Sequence, residues 1–134
     1  MVETLETATT WAGLPGLYAG VGRALREALS TRGTPPAVMC HVSHIYPSGA
    51  SLYFTFLARQ EQGSELDQWR AAKTAASDAI VAGGGTITHH HAVGTDHLPW
   101  MEAEIGPVGI EALRAIKERL DPAGVMNPGK LLPG

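Results

Sequence analysis

The sequence predicts an α+β fold: a ferredoxin-like split β-α-β antiparallel sheet with its helices on one face, followed by C-terminal helices and an irregular tail. Three observations carry that expectation. Two segments place apolar residues at spacings of three and four, the stripe of an amphipathic helix. Between them, "AVMCHVSHIY" and "SLYFTFLA" alternate around a "PSGA" turn, the pattern of a β-hairpin. Short segments rich in β-branched residues flank this set at both ends and complete the order β-α-β-β-α-β.

Residues 3–10 alternate around Leu5 and are rich in threonine, which suits a first strand. From Leu14 onward, Leu17, Tyr18, Val21, Leu25, Ala28 and Leu29 make the stripe of a helix that ends near Gly33. The Pro35-Pro36 break then separates this helix from the hairpin. A second helix is expected over residues 64–82, with Leu66, Trp69, Ala72, Ala76, Ala79 and Ile80 on one side and the run Gly83 to Gly85 as its stop. "GTIT" at residues 85–88 reads as a short fourth strand. Two further helical pieces, residues 99–104 and 109–120, lead into "DPAGVMNPGKLLPG", which is too rich in Pro and Gly for regular structure.

Composition bounds the function. With 134 residues, 44% of them hydrophobic and 17% charged, the chain fits one globular domain with a modest core. A net charge of −3 without a dense Lys/Arg block argues against a nucleic-acid partner, whose phosphates demand a basic face. The single cysteine, Cys40, excludes an internal disulfide and favours a reducing compartment. No apolar run approaches the roughly 20 residues of a membrane span, and "MVETLETATTW" has no signal pattern, so a soluble cytoplasmic protein is expected.

Period-two alternation assigns the faces of the sheet. Val38, Cys40 and Val42, with Leu52, Phe54 and Phe56, form an apolar face directed at the helices. His41, Ser43, Ser51, Tyr53 and Thr55 occupy the other face, and Thr86, Thr88 and His90 join it if Ile87 packs inward. Tyr53 and His90 then look the same way, across a surface that the chain itself leaves open. Such a face can simply be solvated. It can also carry chemistry, because imidazole titrates near neutrality and a phenol can donate a proton or accept one when activated.

A metal is the less favoured reading. Cys40, His41, His44, His89 to His91 and His97 supply enough donor atoms, but no CxxC or HExxH accompanies them, and alternation puts His41 and His44 on opposite faces. No metal is expected. Cys40 points inward as a small hydrophobe rather than a nucleophile. The glycine run precedes a strand instead of opening a helix, so it stops a helix rather than cradling phosphate.

At "CHVSHIYPSGASLYFTF", "GGTITHHHAVG" and "LDPAGVMNPGKLL", the chain resembles the C-terminal portion of the alkyldihydroxyacetonephosphate (alkylglycerone-phosphate) synthase family, a branch of the FAD-linked oxidases typified by vanillyl-alcohol oxidase. The resemblance covers essentially the whole chain. It implies that residues 1–134 are a cap or substrate domain whose sheet roofs the flavin, with the FAD-binding N-terminal domain, the expected partner, absent from this chain. It matches Tyr53 to the family's active-site tyrosine and His89, His90 and His91 to its histidine cluster, over the flavin and the reacting carbon. Asn127 and Lys130 would return towards the flavin domain. The implied reaction takes a proton from C1 of acyl-dihydroxyacetone phosphate, releases the fatty acid and adds a fatty alcohol to form an ether. FAD keeps its overall redox state, and Tyr53 and a histidine move the protons.

Other branches, the D-lactate and 2-hydroxyacid dehydrogenases, carry "GEHGIG"-like and "DGNLH" motifs where this chain has "HHHAVG" and "SGASLY". Those branches place a metal-binding histidine at the position of Tyr53, so the tyrosine favours the ether-forming branch. Three readings stand at this point: the cap of an ether-forming flavoenzyme acting on a small or lipid-phosphate substrate, an FAD-linked oxidoreductase of a 2-hydroxy acid or alcohol, and a non-catalytic ferredoxin-like binding module. A homo-oligomer is compatible with each.

Overall fold

The computed structural model of the chain describes residues 1–132. They fall into two compact units, Met1–His91 and a second that begins at Ala92. The first unit runs β1 (Val2–Thr10), α1 (Leu14–Ser30), β2 (Ala37–Ile45), β3 (Gly49–Leu57) and α2 (Glu65–Ala82). Its sheet has the order β1-β3-β2, antiparallel throughout.

The register explains the two faces. Leu5, Phe54 and Cys40 lie side by side across the three strands, as do Glu3, Phe56 and Val38, so alternate positions converge on the helices. In α1, Leu17, Val21, Leu25 and Leu29 are buried, while Tyr18 is half-exposed with its ring stacked 6.2 Å from that of Phe54. In α2, Ala72, Ala76 and Ile80 are buried. Leu66, expected on the inner stripe, is exposed, and Gln68 is buried in its place. A buried amide must be satisfied. Gln68 Nε2 donates to Thr34 Oγ1 at 2.9 Å and to the Arg59 carbonyl at 2.8 Å, and its oxygen accepts from the Glu61 N–H. Trp69 is only partly buried, with Nε1 donating to the Glu3 carboxylate.

Two sequence expectations need correction here. Residues 85–88 do not form a strand. They follow the free edge of β1 with two backbone bonds, Thr86 N–H to the Ala8 carbonyl and His89 N–H to the Glu6 carbonyl, each 3.0 Å. Donors three residues apart meet acceptors two apart, so a surplus residue interrupts the ladder. Thr7 Oγ1 also donates to the Thr86 carbonyl at 2.6 Å, which fastens the segment through a side chain. Val42, assigned to the apolar face, keeps its register opposite Leu52 but is 46% exposed, since β2 is an edge strand; beyond it a bulge sets Ser43 and His44 against Ser51. Cys40 packs against the core as expected, and burial pushes its thiol up to about 11, leaving it protonated at neutral pH.

The second unit holds a single turn of 3₁₀ helix (Leu98–Trp100) and α3 (Met101–Leu120). Gly106, at φ 74° and ψ 165°, and Pro107 break α3 into the two pieces the sequence suggests. Past α3, Asp121 accepts backbone N–H bonds from Val125 and Met126 and an ammonium bond from Lys117 at 2.6 Å. That clamp shapes an otherwise irregular tail. Among the described residues no helix is long and apolar enough to cross a membrane.

Candidate functional site

The uncovered face of the sheet is organised around a carboxylate that sequence reasoning passed over. Glu6 on β1 lies opposite Tyr53 on β3, which lies opposite His41 on β2. It is only 5% exposed. A buried carboxylate is costly unless several donors surround it, and this one is surrounded. Ser43 and Ser51 donate to Oε1 at 2.6 and 2.8 Å, while Ser51 Oγ in turn accepts the His44 N–H at 3.0 Å. The bulge in β2 makes this possible, because it sets both Ser43 and His44 opposite Ser51.

Three imidazoles converge on the same carboxylate. His89 Nδ1 lies 3.3 Å from Oε1, His91 Nε2 lies 3.5 Å from Oε2, and His44 Nε2 lies 3.9 Å from Oε1. His89 Nδ1 is buried and faces the Glu6 carboxylate, and among the described residues it makes no well-aligned hydrogen bond. Burial by itself would raise the Glu6 carboxyl, but the bonds from Ser43 and Ser51 and the nearby His89 ring outweigh it and hold the group below the usual carboxylate range. A carboxyl depressed on folding stabilises the fold above its unfolded value of about 4.3 and loses that contribution as pH falls through the folded value. The urea midpoint of the chain should therefore drop on acidification below about pH 4.3, and more steeply than that of Glu6→Gln. Equal slopes would contradict this role for Glu6.

The chain places Tyr53 and the histidines together, though not in the pairs that alternation suggests. The ring packed on Tyr53 is that of His91, edge-on with centroids 5.4 Å apart. His90, expected to share the face of Tyr53, packs on His44 at 4.5 Å and on His89 at 4.1 Å. The reason is local. His90 has φ of 60°, so period-two alternation does not apply across it. Tyr46, at the end of β2, adds a second phenol, its hydroxyl 3.1 Å from His89 Nε2.

His44, His89 and His90 each bring a ring nitrogen within 4.8 Å of the others, a grouping a cation could use. Both nitrogens of His89 already face protein groups, Glu6 on one side and Tyr46 on the other. Asn127 and Lys130 belong to the second unit. There the Lys130 N–H bonds the Asn127 carbonyl at 3.2 Å, and both residues line a cleft of about 580 Å³ whose walls include Leu113, Ile116 and Met126.

Residues 1–131 match the family described as FAD linked oxidases, C-terminal domain. The chain is 34% identical to alkyldihydroxyacetonephosphate synthase of Dictyostelium discoideum, over 98% of this chain and 22% of that protein. It is 33% identical to the Trypanosoma brucei brucei protein of the same name, over 98% of this chain and 21% of that one. A solved alkyldihydroxyacetonephosphate synthase superposes with a TM-score of 0.65 at 28% identity, covering 97% of this chain and 20% of the other. The chain thus spans about a fifth of the length of these relatives.

Proposed function

The chain belongs to the family of FAD-linked oxidase C-terminal domains, and from that premise we propose that it is the cap and substrate domain of an enzyme that makes ether bonds. In that enzyme an alkyl group replaces the acyl group of acyl-dihydroxyacetone phosphate. The similarity to alkyldihydroxyacetonephosphate synthases along nearly the whole chain supports the reading. The observation that carries it is the pairing of Tyr53 with His91 over a buried carboxylate, on a sheet face the first unit leaves uncovered.

The residues of that face fit the ring end of FAD and not its pyrophosphate. Imidazoles and a phenol offer donors and acceptors to a planar heterocycle. Thr4, Glu6, Tyr53, Thr55 and His41 include no lysine or arginine to meet phosphate charge. Tyr53, His89, His90 and His91 would contact the ring and the substrate, while Asn127 and Lys130 would serve the partner FAD-binding domain or a phosphate. When bound, FAD supplies the electrophilic chemistry that protein side chains lack. The residues of this chain orient the substrate and handle protons. Tyr53 stands at C1 as the proton-transfer group, and His91, charge-balanced by Glu6, accepts or returns that proton.

Two expectations follow for the purified 134-residue chain. It should be colourless, because the sheet face that meets the ring offers no lysine or arginine to the pyrophosphate, and a yellow preparation with stoichiometric FAD would contradict the division of binding proposed here. It should also hold no metal tightly, since Glu6 and Tyr46 already engage His89. Elemental analysis after dialysis against a chelator checks this, and one retained equivalent of zinc or manganese would overturn it. For the reaction itself, the test is exchange of the C1 proton of the substrate with solvent, catalysed by the full-length flavoprotein.

A further inference from the structure

The second phenol–imidazole contact of the site lies apart from the pair used above. Tyr46 directly follows β2, where its N–H bonds the Gly49 carbonyl at 2.8 Å and the Gly49 N–H returns to the Tyr46 carbonyl at 3.4 Å, closing a two-residue turn. Trp11 braces that turn, its backbone N–H bonding the Ser48 carbonyl and its indole N–H the Pro47 carbonyl, both at 3.2 Å. Any Cβ on Gly49 would come within 2.0 Å of the Thr9 carbonyl, so the turn is seated directly against β1. Tyr46 is thus an exposed side chain on a fixed mount, 41% accessible, with its hydroxyl aimed at His89 Nε2 at 3.1 Å. On the far side of the same ring, the buried Nδ1 faces Glu6 at 3.3 Å and has no hydrogen-bond partner among the described residues.

We propose that Glu6, His89 and Tyr46 form a second proton-handling triad, in which Glu6 holds the His89 proton on Nδ1 so that Nε2 accepts from the Tyr46 hydroxyl. This rests on the reading of the face as a catalytic surface and adds a residue to it. A free imidazole carries its proton on either nitrogen, and the hydrogen bond made by one nitrogen decides the role of the other. The carboxylate, itself fixed by Ser43 and Ser51, removes that freedom. In the working step the Tyr46 O–H bond breaks and an Nε2–H bond forms. The products are a phenolate at the surface and an imidazolium whose charge the carboxylate balances. Glu6 is then the positioning residue, His89 the base, and Tyr46 a further group that meets substrate. One carboxylate serves both pairs, because Oε1 faces His89 while Oε2 faces His91.

The tautomer of His89 tests the proposal without flavin or substrate. In the 134-residue chain at about pH 8, where an ordinary imidazole is neutral, long-range ¹H–¹⁵N correlation of the histidine rings should show His89 protonated on Nδ1. Tyr46→Phe, at an exposed position, should leave that proton in place and move only the Nε2 resonance. Glu6→Gln should let the proton redistribute between the nitrogens, and Glu6→Met should do so more completely. His89 protonated on Nε2 in the unaltered chain, or a tautomer indifferent to both Glu6 substitutions, would overturn the triad. In the full-length flavoprotein, Tyr46→Phe should lower C1-proton exchange at least tenfold with flavin content unchanged, and full exchange would remove Tyr46 from the reaction. If Tyr53→Phe left exchange intact while the tautomer results held, the ether-forming reading would fail and the triad would stand.

Discussion

Phe54→Ala should cost the chain about 3–5 kcal/mol, a large part of the stability of a small domain. Phe54 is fully buried at the centre of the sheet, in register with Leu5 on one neighbour and Cys40 on the other, with the Tyr18 ring stacked above it. Truncation removes its transfer free energy and leaves a cavity that flanking strands cannot close without shifting the ladder. Leu66→Ala is the matched control. Leu66 is 66% exposed and should cost no more than about 0.5 kcal/mol. Urea unfolding of the two variants should show a lowered midpoint at unchanged slope for Phe54→Ala alone. A loss below about 1 kcal/mol for Phe54→Ala would mean that the core is not where the register puts it.

Most of the fold was legible because it rests on periodicity. The stripe Leu17, Val21, Leu25, Leu29 and the alternation Leu52, Phe54, Phe56 each bury one face, and the boundaries of α1, β2, β3 and α2 lie close to those read from the pattern. Periodicity failed wherever the backbone departs from a regular period. The bulge at Ser43 and His44 turns His44 towards Glu6, and nothing in "HVSHIY" announces it. The positive φ at His90 hands the contact with Tyr53 to His91. Leu66 and Gln68 exchanged roles because the buried position offers three hydrogen-bond partners, which a hydropathy stripe does not register. Glu6 was the largest omission at the site. Glu6 lies within the strand read around Leu5, but no face was assigned to it, and three of the groups around it, His44, His89 and His91, come from distant parts of the chain. Tyr53 and the triple histidine were identified as site residues, and the chain brings Tyr53 together with one of the three.

Tyr53→Phe is the substitution with the greatest expected effect on the reaction. It removes one phenolic oxygen and keeps the ring that packs edge-on against His91, so folding should survive with a change of about 1 kcal/mol or less. Proton transfer has no such reserve. A positioned acid or base contributes roughly 10²- to 10⁴-fold. His91→Ala should also depress exchange, but it leaves Glu6 with one donor fewer and so carries a stability cost that Tyr53→Phe avoids. The decisive measurement is solvent exchange of the C1 proton of acyl-dihydroxyacetone phosphate by the full-length flavoprotein, unaltered and as Tyr53→Phe, at matched flavin content. A fall of roughly 10²- to 10⁴-fold in the folded, flavin-loaded variant is the predicted result. Exchange at nearly the unaltered rate would contradict both the placement of the site on this sheet face and the ether-forming function.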